Sequence, residues 1–257
     1  VTSVGVLDKV MAILDAFADG STRLDPAAVA TRVGVSTPTA YRLMGAMAQH
    51  RLLDVDGRTY GLGSKLLELG SRAHRGVDVR AAALPHLRHL STESAETVEL
   101  QIRTGHRRVP IEMIVGSRTV RTAGELGVPL PVHVGASSRV LLAWLDEEQA
   151  MRLARESADE LPDHPWDPEQ YLTRLRLVRE QGWEYSRGER DPETSAVSAP
   201  VRDRNGYVVA AVVVSSTLTR LADEAHRTAV IDLVRTAAHA ISTDLGHHTD
   251  APLEATP

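Results

Sequence analysis

Two short runs of this sequence hold side chains suited to chemistry. In Ser36-Thr37-Pro38-Thr39-Ala40-Tyr41-Arg42, hydroxyls, an aromatic ring and a guanidinium crowd the start of an amphipathic stretch, and in Gly135-Ala136-Ser137-Ser138 small residues open another. The first set suits a DNA groove, because arginine pairs bidentately with a guanine edge and threonine touches a thymine methyl or a phosphate. The second presents free backbone amides and hydroxyls at a helix start, which is how a protein holds a carboxylate without a dedicated lysine. Each has a plainer alternative. Outward charged faces are common on surface helices, and Gly135 to Ser138 can simply cap the helix they begin.

Enzymatic chemistry finds little support. There is no cysteine, so disulfides, thiolate metal sites and cysteine nucleophiles are excluded. No Gly-x-Ser-x-Gly elbow, P-loop or dinucleotide fingerprint occurs. His86 and His89 are three apart but lack the acid of a two-histidine zinc motif, and His133 has no evident nucleophile or orienting acid nearby in sequence. We expect no catalytic residue, no metal and no cofactor. Trp144, Trp166 and Trp183 are read as packing residues.

The elements that must position these runs follow from periodicity. Leu7, Val10, Met11, Leu14 and Phe17 predict an amphipathic helix ending before Asp19-Gly20. Asp25 caps a helix over 26–33 that begins with Pro26 and stops at Gly34. Ser36 caps a third helix reaching Gln49; Ala40, Leu43, Met44 and Met47 form its inward stripe, while Pro38, Arg42, Gly45 and Gln49 point away. Runs 52–55 and 58–62 then flank Asp56-Gly57, a hairpin signal that places Arg58 near the tip of the loop. Three helices followed by a hairpin is the order of a winged helix-turn-helix. A linking helix is expected over 64–74, with a break at Gly76. Beyond it, helices at 79–91, 137–145, 147–156, 168–181 and 223–245 interrupt strands at 97–103, 109–115, 119–123, 183–187, 197–201 and 207–215. The fold class is therefore α+β in two domains, the second with a mainly antiparallel sheet flanked by helices. We place the DNA-binding domain at 1–62, the linker helix at 63–75, the second domain at 76–246 and a disordered tail at 247–257.

Composition sets the outer limits. The 257 residues are 42% hydrophobic and 25% charged, which fits globular domains and excludes a disordered chain as the main answer. The formal charge of −5 is uneven, since residues 1–75 carry nine basic and seven acidic side chains and the remainder carries the excess of acid. A nucleic-acid partner is compatible with that split. No apolar run approaches the ~20 residues of a membrane span, and Asp8, Asp15 and Asp19 sit where a signal peptide would be basic then apolar. A cytoplasmic location without a membrane partner is expected.

From about Val6 to Leu245 the chain resembles the IclR family of bacterial transcriptional regulators. The likeness rests on Ala30, Gly34, Thr39, Arg42 and Leu43 in the helix-turn-helix, then Tyr60-Gly61-Leu62-Gly63 and Leu66-Leu67-Glu68-Leu69-Gly70. It continues through Pro85-His86-Leu87, Glu96-Thr97-Val98, Pro131-Val132-His133, Arg179-Glu180-Gln181-Gly182-Trp183 and Ala199-Pro200-Val201-Arg202-Asp203. The resemblance implies a GAF-like domain that binds a small organic effector, a homodimer or homotetramer, and a palindromic double-stranded DNA operator. DNA contacts are expected from Ser36, Thr37, Pro38, Thr39, Tyr41, Arg42 and Arg58. Effector contacts are expected from Gly135, Ala136, Ser137, Ser138, Glu189, Ala196, Val213 and Ser215.

The chain also departs from relatives as the resemblance describes them. Ser138-Arg139 stands where many have Gly-Lys, Glu193 and Ala196 replace Gly and Cys, and Val213 replaces a serine, while Ser215 matches. Ala196 and Val213 predict a roomier, drier pocket suited to an apolar body such as an aromatic or branched amino acid. Glu189 is read either as an acceptor for an effector amine or as a surface charge. Two rival functions stay open here. One is a sensor acting through protein contacts, mildly favoured by Asp54 and Asp56 on the wing; the other is an enzyme with a winged-helix docking module.

Overall fold

A computed structural model describes residues 5–17, 22–73, 79–121, 124–161 and 166–247. The chain divides into two compact units, Val1–Gly76 and Val77–Pro257. In the first, α1 (Gly5–Asp15), α2 (Pro26–Val33) and α3 (Thr37–Gln49) precede the hairpin β1 (Leu53–Asp56) and β2 (Thr59–Leu62), and α4 (Ser64–Ala73) follows. This is the winged helix-turn-helix order.

Local chemistry sets its boundaries. The Asp25 carboxylate accepts from the N–H groups of Ala27 and Ala28 at 2.9 and 2.8 Å, with Pro26 at the first helical position, where no N–H is required. Gly34 ends α2 at φ 71°, its N–H bonded to Ala30 O. Ala40, Met44 and Met47 of α3 are buried against Ile13, Phe17, Val29, Leu53 and Tyr60.

Two local expectations need correction. Ser36 takes the N-cap position of α3 but its side chain makes no cap bond to a backbone N–H; its hydroxyl meets Thr39 Oγ1 at 2.8 Å instead. In the hairpin Asp56 pairs with Thr59, so the turn residues are Gly57, at φ 57°, and Arg58. The glycine takes the first central position, where a mirror-image turn needs positive φ. The first helix ends at Asp15, with Ala16 and Phe17 in a turn, before Asp19-Gly20, which lie outside the described residues.

Gly63 closes the wing against the backbone after α3. A Cβ there would stand 2.2 Å from Arg51 O and 2.9 Å from the Leu52 carbonyl carbon. Backbone cannot swing aside as a side chain can. Gly63→Ala is therefore expected to cost about 1–3 kcal/mol as an overpacking change, read as a lower urea midpoint; an unchanged midpoint would contradict this packing.

The second unit begins with α5 (Val79–Ser94) and continues through β3 (Thr97–Thr104), β4 (Arg107–Ile114), β5 (Leu130–Pro131), α6 (Ala136–Leu142), α7 (Glu147–Asp159) and α8 (Pro168–Gln181). It ends with β6 (Glu184–Arg187), β7 (Thr194–Arg202), β8 (Val208–Thr217), α9 (Leu218–Ala222) and α10 (Glu224–Asp244). The strands form one antiparallel sheet in the order β5-β4-β3-β8-β7-β6. Period-two alternation gives it two different faces. Val98, Leu100, Val197, Ala199, Val212 and Val214 pack under α5 and α10. The other face carries α6, α7 and α8, whose core includes Leu142, Tyr171, Leu175 and Val178.

No strand forms over 119–121, the described part of the strand expected at 119–123. The chain leaves the sheet after Ile114, and Gly116 is pressed against backbone, with its Cβ position 2.7 Å from Ala95 O. Residues 117–120 are exposed bends, Leu130-Pro131 pairs with Arg107 and Arg108 at the other end of β4, and residues 122–123 lie outside the described set. Strand propensity does not make a strand without a paired partner. Helix α9 was not anticipated. Of the expected tail, residues 248–257 lie outside the described residues. Among the described residues no helix is long and apolar enough to cross a membrane.

Candidate functional site

In the first unit α3 leaves its leading turns uncovered. Ser36, Thr37, Pro38 and Arg42 are exposed, Tyr41 keeps 64% of its surface in solvent, and Thr39 is half-buried beside Ser36. Arg58 is exposed on the hairpin turn. The six α3-side residues thus share one helix start, and Arg58 stands apart on the wing. Arg23 was missed by sequence reasoning: its Nε donates to Thr59 Oγ1 at 3.0 Å, and its guanidinium lies 3.6 Å from Asp54 and 4.0 Å from Asp56. The wing carboxylates therefore face a cation of their own unit, which weakens the objection they raised to DNA binding.

In the second unit the sheet face beneath α6 encloses a cavity of about 40 Å³. Seven of the eight expected effector residues line it: Gly135, Ala136, Ser137, Glu189, Ala196, Val213 and Ser215. Ser138 does not, its hydroxyl donating to Gly135 O at 2.6 Å. Strand register explains the convergence, since Ala196 pairs with Ser215 and Ser186, and Val213 pairs with Glu99. Sequence reasoning missed Glu99, Gln101, Arg108, Ser186, Arg190 and Thr194. The signal was the polar half of β3, where Thr97, Glu99 and Gln101 alternate with Val98 and Leu100 although all five are buried. A dry pocket is not what forms, because Ala136, Ala196 and Val213 are the apolar side chains in a lining otherwise polar or glycine.

The geometry is that of a fixed polar network. Arg108, 4% exposed, donates from Nε to Pro131 O at 2.9 Å, from Nη1 to Gln101 Oε1 at 2.7 Å and from Nη2 to Val134 O at 3.3 Å. Ser137 Oγ donates to the same Gln101 oxygen at 2.8 Å, and Gln101 Nε2 donates to the Glu99 carboxylate. Burial, joined by the charge of Arg190, pulls the Arg108 guanidinium down to about 10.

At the start of α6 the anion is the protein's own. Glu189 accepts from Gly135 N at 2.8 Å and takes both terminal nitrogens of Arg139, at 2.8 and 2.6 Å. Arg139 Nε donates to the wholly buried Glu184 at 2.8 Å, and Arg174 pairs with the same carboxylate.

Burial works against the charge of Glu189, yet the Arg139 hydrogen bonds and charge and the Gly135 N–H hold its carboxyl below the usual range. Glu96 behaves alike, with burial opposed by Arg220, Ser216 and Arg118. Depressed carboxyls stabilise the fold above their unfolded-state value, ~4.3, and that share is lost as pH falls below it through the folded-state values. Urea midpoints should therefore drop between pH 5 and pH 3. A midpoint constant over that interval would contradict these assignments.

Among the described residues no cluster of three or more His, Cys, Asp or Glu could hold a metal. His86 Nε2 lies 2.8 Å from Asp244 Oδ2, and His133 is buried with Nδ1 3.0 Å from Ser157 Oγ.

Comparisons with known proteins agree with this architecture. Residues 6–57 match the family model described as the IclR helix-turn-helix domain, and residues 72–243 match that of the bacterial transcriptional regulator IclR C-terminal. The chain is 29% identical over 245 residues to the HTH-type transcriptional regulator XynR of Escherichia coli, covering 94% of this chain and 97% of that one. It is 30% identical over 250 residues to KdgR of Dickeya chrysanthemi, covering 96% and 81%. A crystal structure of an IclR transcriptional regulator from Alicyclobacillus acidocaldarius superposes with a TM-score of 0.79 at 26% identity, covering 95% of this chain and all of that one. These relatives are transcriptional regulators, not enzymes. With both family models matched in chain order over the winged helix-turn-helix unit and the antiparallel-sheet unit, the chain belongs to the IclR family of bacterial transcriptional regulators.

Proposed function

We propose that the protein is a ligand-responsive regulator that binds a palindromic operator as a homodimer or homotetramer and is modulated by a small organic effector. Ser36, Thr37, Pro38, Thr39, Tyr41 and Arg42 enter the major groove, and Arg58 meets a phosphate or the minor groove. The effector occupies the pocket lined by Gly135, Ala136, Ser137, Glu189, Ala196, Val213 and Ser215, with Ser138 holding the turn behind it. The observation that carries the reading is the helix face itself. Arg42 and Tyr41 are exposed beside a well-packed stripe, so the unit's own core does not use them. A repressor is the direction we favour, a mode named for one relative, the repressor AllR of Escherichia coli.

An effector that binds one subunit geometry more tightly changes the spacing of two recognition helices, and a coupling of about 1–3 kcal/mol suffices. Selection from a random duplex library tests the operator: two inverted half-sites centred one or more helical turns apart are expected. Recovery of sequences without a shared motif would overturn the DNA-reading assignment.

A further inference from the structure

The charges inside the pocket narrow the effector class, on the reading above that this pocket is the effector site. Gln101 lies between two opposite charges, its amide oxygen taken by Arg108 and its amide nitrogen given to Glu99. Both charged side chains are almost wholly buried, and among the described residues neither has an ion-pair partner within 4 Å. Arg108 is bonded to that amide and to two backbone carbonyls, all neutral acceptors. Arg190 lines the same small cavity, so two guanidiniums approach one space. By contrast, Glu189 is neutralised by Arg139 and brings little free charge. A buried cation without an anion is costly, and a ligand that supplies one recovers that cost.

We propose that the pocket takes a small carboxylic acid bearing a hydroxyl or ammonium group beside its carboxylate, with the carboxylate between Arg108 and Arg190 and the donor turned to Glu99. Size agrees with this class. A single water needs about 10–15 Å³ on this measure, so the cavity has room on the order of three waters, the scale of a polar head group.

Four probes of one carbon skeleton test it on the full chain by calorimetry and thermal shift: lactate, alanine, propionate and propane-1,2-diol. Lactate or alanine should bind at least about ten-fold more tightly than propionate, and the diol should not bind. Arg190→Ala changes an exposed side chain, leaves the fold intact, and should weaken the acids by about five-fold or more. Glu99→Gln should erase the advantage of lactate or alanine over propionate. Diol binding equal to lactate, acid affinities indifferent to Arg190→Ala and Glu99→Gln, or no binding of any acid to protein that still selects its operator would each overturn the proposal. Operator binding is followed in parallel, and its loss in wild-type protein would count against the regulator reading instead.

Discussion

Replacing Arg42 by alanine is expected to weaken operator binding by about 5- to 150-fold while leaving effector affinity unchanged. The range corresponds to the ~1–3 kcal/mol of one bidentate base contact. Arg42 is exposed, belongs to no buried network and points away from the Ala40-Met44-Met47 stripe, so its loss should not disturb folding. Arg42→Lys separates charge from geometry: a lysine keeps the attraction to phosphate but cannot make the planar two-bond contact, so it should restore non-specific affinity more than sequence preference. Fluorescence anisotropy with operator and scrambled duplexes reads both quantities. Wild-type operator affinity in the alanine variant would remove Arg42 from the reading face.

The second large effect belongs to Arg139, where the chain departs from the Gly-Lys that the resemblance describes. Its side chain is 5% exposed and joins Glu184, which is fully buried, to Glu189 across α6 and β6. Arg139→Met should destabilise the protein by about 1–3 kcal/mol, because Glu189, partly exposed, loses both guanidinium hydrogen bonds. Arg174 still pairs with Glu184, so the uncompensated carboxylate is mainly Glu189. The double variant Arg139→Met with Glu189→Met should then cost less than the sum of its parts, the mark of direct coupling. Urea denaturation of the four species gives the cycle. Strict additivity would show that Glu189 is stabilised by solvent rather than by Arg139.

Where hydrogen bonding is local, the sequence was legible. Asp25-Pro26 and Gly34 bound α2 because the cap, the missing N–H and the left-handed residue act within one turn. Likewise, Pro168 to Gln181 is a helix from an aspartate cap to a left-handed Gly182. Legibility failed where a partner decides. Threonine and valine at 119 and 120 have strand propensity, but they lie in exposed bends past the end of β4, where no described strand pairs with them. The candidate pocket shows the same division. Small residues at 135–137 and the pair Ala196 and Ser215 were recognisable, whereas Arg108 reaches Gln101 across a β3–β4 pairing whose register shifts between Leu100 and Gln101. No spacing rule anticipates a bulge. The pairing of Glu189 with Arg139, fifty residues apart, was equally hidden, so a carboxylate that looked free in sequence proves committed.

The central claim is that α3 reads a specific duplex, and binding to DNA from the gene's own upstream intergenic region tests it most directly. Anisotropy titrations at two salt concentrations against a scrambled duplex should show a clear preference for the upstream DNA, with both affinities falling as salt rises because phosphate contacts release counterions. Equal, salt-insensitive affinity for both duplexes would contradict the account.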